Sequence, residues 1–177
     1  MKKVIAAILL STAATSVAVA DEFSTGPVFR DHGENIRVEN GLKNPLSQHF
    51  KILFDIYQSS DAGGINSKFD SVARFINMHV RSGVPAENIE VAMVVHGKAS
   101  FDLLSKAAYQ SKFARNNDSA DLLNQLLAAK VQVYLCGQSA AHLGIENRDL
   151  IPGVSMSLSA MTANALLQQQ GYTLNPF

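Results

Sequence analysis

The sequence predicts a three-layer αβα domain built on a mainly parallel sheet of about four or five strands. Three observations lead there. From residue 50 onward, strand-like apolar runs alternate with helix-like stretches, the order that places helices on the faces of a parallel sheet. The run Ile89–Val95 (IEVAMVV) is almost continuously apolar, as a central strand covered on both faces requires. The helix-like stretches carry apolar residues three and four apart, so each has one face to lay against a sheet.

Residues 50–57 (FKILFDIY) read as the first strand, and residues 58–65, with Gly63-Gly64, as the loop that leaves it. Asn66 or Ser67 caps a helix whose apolar face is Phe69, Val72, Ala73, Ile76 and Val80, and Gly83 and Pro85 stop it. The second strand follows. A helix is expected over residues 99–111, then a polar break over 115–119 ending in another cap. Leu122, Leu123, Leu126, Leu127 and Ala129 give the next helix one apolar face, residues 131–135 (VQVYL) form the third strand, and residues 138–143 a short helix. Beyond the Pro152-Gly153 turn, Val154, Met156 and Leu158 alternate with Ser155 and Ser157, the period of a fourth strand. A last helix runs over residues 160–170, and Gly171 ends it.

The segments before residue 50 differ. Lys2 and Lys3, the apolar stretch from Val4 to Leu10 with small residues to Val17, and Ala18-Val19-Ala20 follow the three-part logic of a secretory signal. Cleavage after Ala20 is expected, with export to the periplasm and no membrane association afterwards. Removing 20 of the 177 residues leaves 157, with 13 basic against 15 acidic side chains once Lys2 and Lys3 are gone. That length suits one domain, and with no basic stripe nucleic-acid binding has no support. Residues 21–49 hold turn signals at Gly26-Pro27, Asp31-His32-Gly33, Asn40-Gly41 and Asn44-Pro45 with short apolar pairs between them. They read as an extended arm wrapped on the domain at 50–177 or on a neighbouring subunit.

In an open parallel sheet, ligands bind beyond the carboxyl ends of the strands. The residues expected there are Tyr57 and Gln58 after the first strand, His96, Gly97 and Lys98 after the second, Cys136, Gly137, Gln138 and Ser139 after the third, and Ser157 and Ser159 after the fourth. Cys136 is the single cysteine. In an oxidising compartment a lone thiol is a reactive group, an intermolecular bridge or an inert buried side chain. Its place before a short helix favours the thiolate, and Gly137 is expected to clear space beside the sulfur. His96 is read either as the thiol's proton partner or as a helix cap. Lys98, with the N–H groups near Ala99 and Ser100, suits an anion. Gln138 and Ser139 are expected to donate to it. Asp55 is expected to bond a nearby loop backbone, and His32, His49 and His79 to be surface or arm residues.

Other chemistries lack their residues. There is no CxxC pair, no His or Cys pair at metal-ligand spacing, and no GxSxG or GxGxxG motif. Gly97-Lys98-Ala99-Ser100 lacks the upstream glycine of a P-loop.

The stretches FKILFDIY (50–57), VVHGKASFDLL (94–104), VYLCGQSAAHLGI (133–145) and PGVSMSLSAMTANALLQQQGY (152–172) resemble the DsrE/DsrF-like family. They are most similar to its exported branch, which carries a histidine-glycine and a cysteine-glycine-glutamine signature. The similarity extends loosely to Gly26-Pro27. The resemblance implies a parallel αβα fold and homo-oligomers, trimers or hexamers. It also implies a strand-end cysteine that carries sulfane sulfur as a persulfide, received from and passed to a sulfur donor and acceptor. That role maps onto Cys136, and His96 matches the histidine-glycine motif. Such chemistry needs no cofactor and no metal. The rival readings are a small-ligand-binding module in which Cys136 merely lines a crevice, and an oligomeric scaffold clasped by the arm.

Overall fold

The computed structural model describes residues 22–61 and 64–175. Residues 1–20, expected to be a signal peptide, and Gly63 lie outside them. The elements are β1 (Phe50–Ile56), α1 (Ser67–Arg81), β2 (Ile89–Val95), α2 (Lys106–Phe113), α3 (Ala120–Ala128), β3 (Gln132–Cys136), α4 (Gly137–Leu143), β4 (Ser155–Ser157), α5 (Ala160–Gln169) and β5 (Thr173–Asn175), with short 3₁₀ turns between some of them. The sheet order is β4-β3-β2-β1-β5, and every pairing is parallel.

Side-chain alternation along the central strands divides the core. Phe54, Ile56, Met93, Val95 and Leu135 face α1 and α3, packing with Phe69, Val72, Leu122, Leu123 and Leu126. Leu53, Ala92, Val94 and Cys136 point the other way, under Ala160, Ala163 and Leu167 of α5. These two apolar layers make the three-layer αβα architecture. Burying each large side chain contributes about 2 kcal/mol, which is why the 3.6-residue periodicity of α1 overrides the indifferent helix propensity of its β-branched and aromatic members.

Two elements differ from the sequence reading. In place of one helix over 99–111 there is a 3₁₀ run, Gly97–Leu103, and then α2. Ser105 accepts a hydrogen bond from the Ala108 N–H and so starts a new helix, while Leu103 and Leu104 turn into the core between the two segments. The strand β5 follows Gly171 and pairs with β1; at three residues it is too short for a periodic signal. The apolar side of β4 is also not buried: Leu158 is 72% exposed and Met156 36%.

The arm lies on α1. The Arg81 guanidinium donates to the carbonyls of Ser24, Thr25, Gly26 and Asn35 at 2.7–3.1 Å. The Asn77 Oδ1 accepts from the N–H groups of Val28 and Phe29 at 2.9 and 2.8 Å, and Asp70 accepts from Gly33. Phe29 is buried in the core. Among the described residues no helix is long and apolar enough to cross a membrane.

Candidate functional site

Cys136 ends β3 and directly precedes α4. Its Sγ accepts from the Ser139 N–H at 3.5 Å. Burial pushes the thiol pKa up. The Ser139 hydroxyl and the backbone N–H groups of Ser139, Ala160 and Gln138 push it down, and the net direction is below the ordinary thiol value. Ala160 is the first residue of α5, so donors from two helix starts converge on one sulfur. Ser159 secures the second of these: its Oγ accepts from the Thr162 N–H at 3.0 Å and caps α5. The sulfur is held on the α5 side of the sheet, with the residue 5% exposed.

Ser139 links the thiol to the next strand. Its Oγ accepts from the Gly97 N–H at 3.0 Å, which leaves the hydroxyl proton free for the sulfur. Gly97 has φ +56°, so the turn after β2 suits glycine. Gly137 has a different role from the one expected. A Cβ on it would meet the Ser157 carbonyl oxygen at 2.5 Å. Its missing side chain lets β4 close against α4 and does not open space at the sulfur. The Gln138 side chain likewise donates to the Leu158 carbonyl at 3.3 Å, so it is the backbone of Gln138 that faces the thiol.

His96 follows β2 in extended conformation, and its N–H donates to Ile56 O at 2.9 Å. The β2–β3 register ends at Val95 opposite Leu135. The next step sets His96 beside Cys136 on adjacent strands, which run about 4.8 Å apart. The imidazole caps no helix. Its Nε2 meets Asp55 Oδ2 at 3.1 Å, and Asp55 Oδ1 accepts from Asn164 Nδ2 at 2.8 Å. Asp55 therefore bonds a histidine and a helix side chain, not a loop backbone as expected. Asp55 and Asn164 join the site only in the folded chain. The available signal was a carboxylate in an otherwise apolar strand, on the same face as the strand-end cysteine.

Tyr57 and Lys98 are exposed, and with Gln58, Ser67 and Gly97 they line an open polar cleft of about 570 Å³. Cys136 does not line that cleft, so the predicted residues form two adjoining groups that meet at His96-Gly97. The Tyr57 ring lies 5.9 Å from the His96 ring. His79 is not a surface residue: it packs between Phe50 and Phe75, because α1 places it on the stripe facing the start of β1. Burial lowers its pKa. His32 is also largely covered, 3.9 Å from Asp70. Among the described residues, no group of three or more His, Cys, Asp or Glu side chains is placed to hold a metal ion.

The comparisons with known proteins agree with this architecture. A protein of unknown function from Methanobacterium thermoautotrophicum, MTH1491, has a TM-score of 0.54 at 14% identity, over 71% of this chain and 97% of its own. The YchN protein of E. coli is 19% identical with a TM-score of 0.49, over 71% and 97%. No curated protein matches. The first likeness supports the fold alone. The family model described as DsrE/DsrF-like matches residues 51–176, which include β2 to β5, all of β1 but Phe50, and both strand-end motifs. The chain belongs to the DsrE/DsrF-like family.

Proposed function

We propose that this is an exported, periplasmic sulfur-handling protein that carries sulfane sulfur as a persulfide on Cys136. One observation carries the reading: a single thiol at the carboxyl edge of the sheet, held below its ordinary pKa by hydroxyl and N–H donors. Family membership supports a sulfur-relay-related role, and the segment before Asp21 supports export. The thiolate attacks the outer sulfur of a donor RS–SH. The donor's S–S bond breaks, an S–S bond forms on Cys136, and RS⁻ leaves. An acceptor thiolate then attacks the outer sulfur and restores the Cys136 thiolate, with no net oxidation. His96 takes the thiol proton and returns it to the departing thiolate. Ser139, with the N–H groups of Gln138 and Ala160, stabilises charge on the bound sulfur. The low exposure of Cys136 favours a small sulfane over a folded donor.

The reading includes self-association as a trimer or hexamer. Leu158, Met161 and Leu166 are 72%, 80% and 51% exposed beside an apolar groove of about 330 Å³ between β4 and α5, the kind of surface that assembly covers.

Intact-mass spectrometry after exposure to inorganic polysulfide tests the chemistry. The wild type is expected to gain one sulfur atom, removable by a thiol reductant, and Cys136→Ser to gain none. A wild type that gains no sulfur, or a Cys136→Ser variant that gains it equally, defeats the reading.

A further inference from the structure

We propose that Asp55, oriented by Asn164, is a positioning residue that fixes the His96 proton on Nε2 and leaves Nδ1 as the ring atom that accepts the thiol proton. The inference rests on the reading of Cys136 as the sulfur carrier and goes beyond it by assigning how the histidine is prepared.

The argument starts from hydrogen-bond inventory. An ionised carboxylate only accepts, and a neutral imidazole has one N–H. The ring nitrogen at 3.1 Å from Asp55 Oδ2 is Nε2, so that nitrogen bears the proton and Nδ1 has the lone pair. The carboxylate cannot turn away freely, because its other oxygen receives Asn164 Nδ2 at 2.8 Å. The two bonds come from different layers, one from the end of β2 and one from α5. The His96 backbone is pinned as well, by its N–H on Ile56 O and by the Gly97 N–H on Ser139. Asp55 of β1 meets the ring and Tyr57, just after that strand, lies beside it; Asn164 of α5 reaches it only through Asp55, and Cys136 is the strand neighbour of His96 at the next register step. Lys98, two residues on, is exposed.

Asn164 adds an independent indication. Its Oδ1 is buried and has no partner among protein groups. Aiming the amide nitrogen at Asp55 leaves that oxygen unsatisfied, so the donor to the carboxylate is kept at the acceptor's expense. The His96 and Asp55 side chains are 30% and 31% exposed. The pair thus sits at the rim of the site, where a proton can enter and leave.

The same inventory gives the test. In Asp55→Asn, with Asn164 keeping the orientation the proposal assigns it, the new amide turns its oxygen to the Asn164 donor and its nitrogen to His96. Nε2 then has to accept, and the ring proton moves to Nδ1, the wrong tautomer for the thiol. In the exchanged variant Asp55→Asn with Asn164→Asp, the residue-164 carboxylate takes the amide nitrogen. The residue-55 oxygen turns back to His96, and Nε2–H returns. Long-range ¹H–¹⁵N spectra of ¹⁵N-histidine-labelled protein with the ring neutral read the tautomer directly. Iodoacetamide labelling of Cys136 against pH reads its consequence. The wild type is expected as Nε2–H and the single variant as Nδ1–H, with labelling at neutral pH slowed about tenfold. The exchanged variant is expected to recover both. A wild-type Nδ1–H tautomer, an uninverted single variant, or an exchanged variant that stays inverted or slow overturns the proposal. None of these readouts involves sulfur uptake, so failure of the carrier reading shows separately, as wild-type protein that gains no mass from polysulfide.

Discussion

Asp55 and Asp102 sit at the same edge of the sheet and differ in almost every physical respect. Asp102, in the 3₁₀ run after β2, is 1% exposed. Its oxygens receive the Ser60 N–H and hydroxyl, each at 2.9 Å, and Asn66 Nδ2 at 2.7 Å. The donors are neutral and themselves tied down: the Asn66 N–H bonds Ser119 Oγ, and Asn117 bonds the Asp102 carbonyl. Asp55 is a third exposed, and one of its two partners is titratable. A buried carboxylate with neutral, fully committed donors holds a loop in place. One at a rim, shared between a histidine and an amide that leaves an oxygen unpaired, has a partner that can change state. The first network is scaffolding, and the second is suited to moving a proton.

Several substitutions would break or sharpen this contrast. Asp102→Ala leaves the buried Asn66 amide and the half-buried Ser60 donors without an acceptor and is expected to cost about 3 kcal/mol, read as a shift in the urea midpoint. Asp55→Asn, whose partners reach solvent, is expected to cost under about 1 kcal/mol in the same assay. Equal losses would remove the distinction between the two carboxylates. Gly137→Ala lies between them. A Cβ 2.5 Å from the Ser157 carbonyl forces β4 outward, at about 2 kcal/mol, and unaltered stability would show that β4 does not close on α4 as described. Ser139→Ala leaves the half-buried Gly97 N–H without its acceptor, at about 1 kcal/mol. It removes the hydroxyl that lowers the Cys136 pKa, so less thiolate is present at neutral pH. Labelling by iodoacetamide is expected to slow about threefold there and to match the wild type at high pH. A rate unchanged across the pH range would mean that the hydroxyl does not act on the sulfur.

Much of the architecture was legible because burial is periodic. The apolar stripe from Phe69 to Val80 and the run Ile89–Val95 carry their fold in local pattern. The 3₁₀ segment and β5 were not legible. Ser105 caps a helix only because Leu103 and Leu104 are drawn into the core, and β5 is three residues beside β1. At the site, the edge position of Cys136 and His96 followed from strand order. The roles of their neighbours did not: Gly137 answers to the Ser157 backbone 20 residues on, and the Gln138 side chain to Leu158.

The division has one physical cause. Local sequence determined what depends on residues a turn or a strand apart: the alternation of elements, the strand ends, the position of the lone thiol and the signal-like start. Tertiary structure decided what depends on groups distant in the chain. Asn164 meets Asp55 across 109 residues, Asp55 meets His96 across 41, and Gly97 meets Ser139 across 42. A hydrogen bond needs its two atoms within about 3 Å. No periodicity encodes a distance that exists only once β1, β2 and β3 lie side by side under α5.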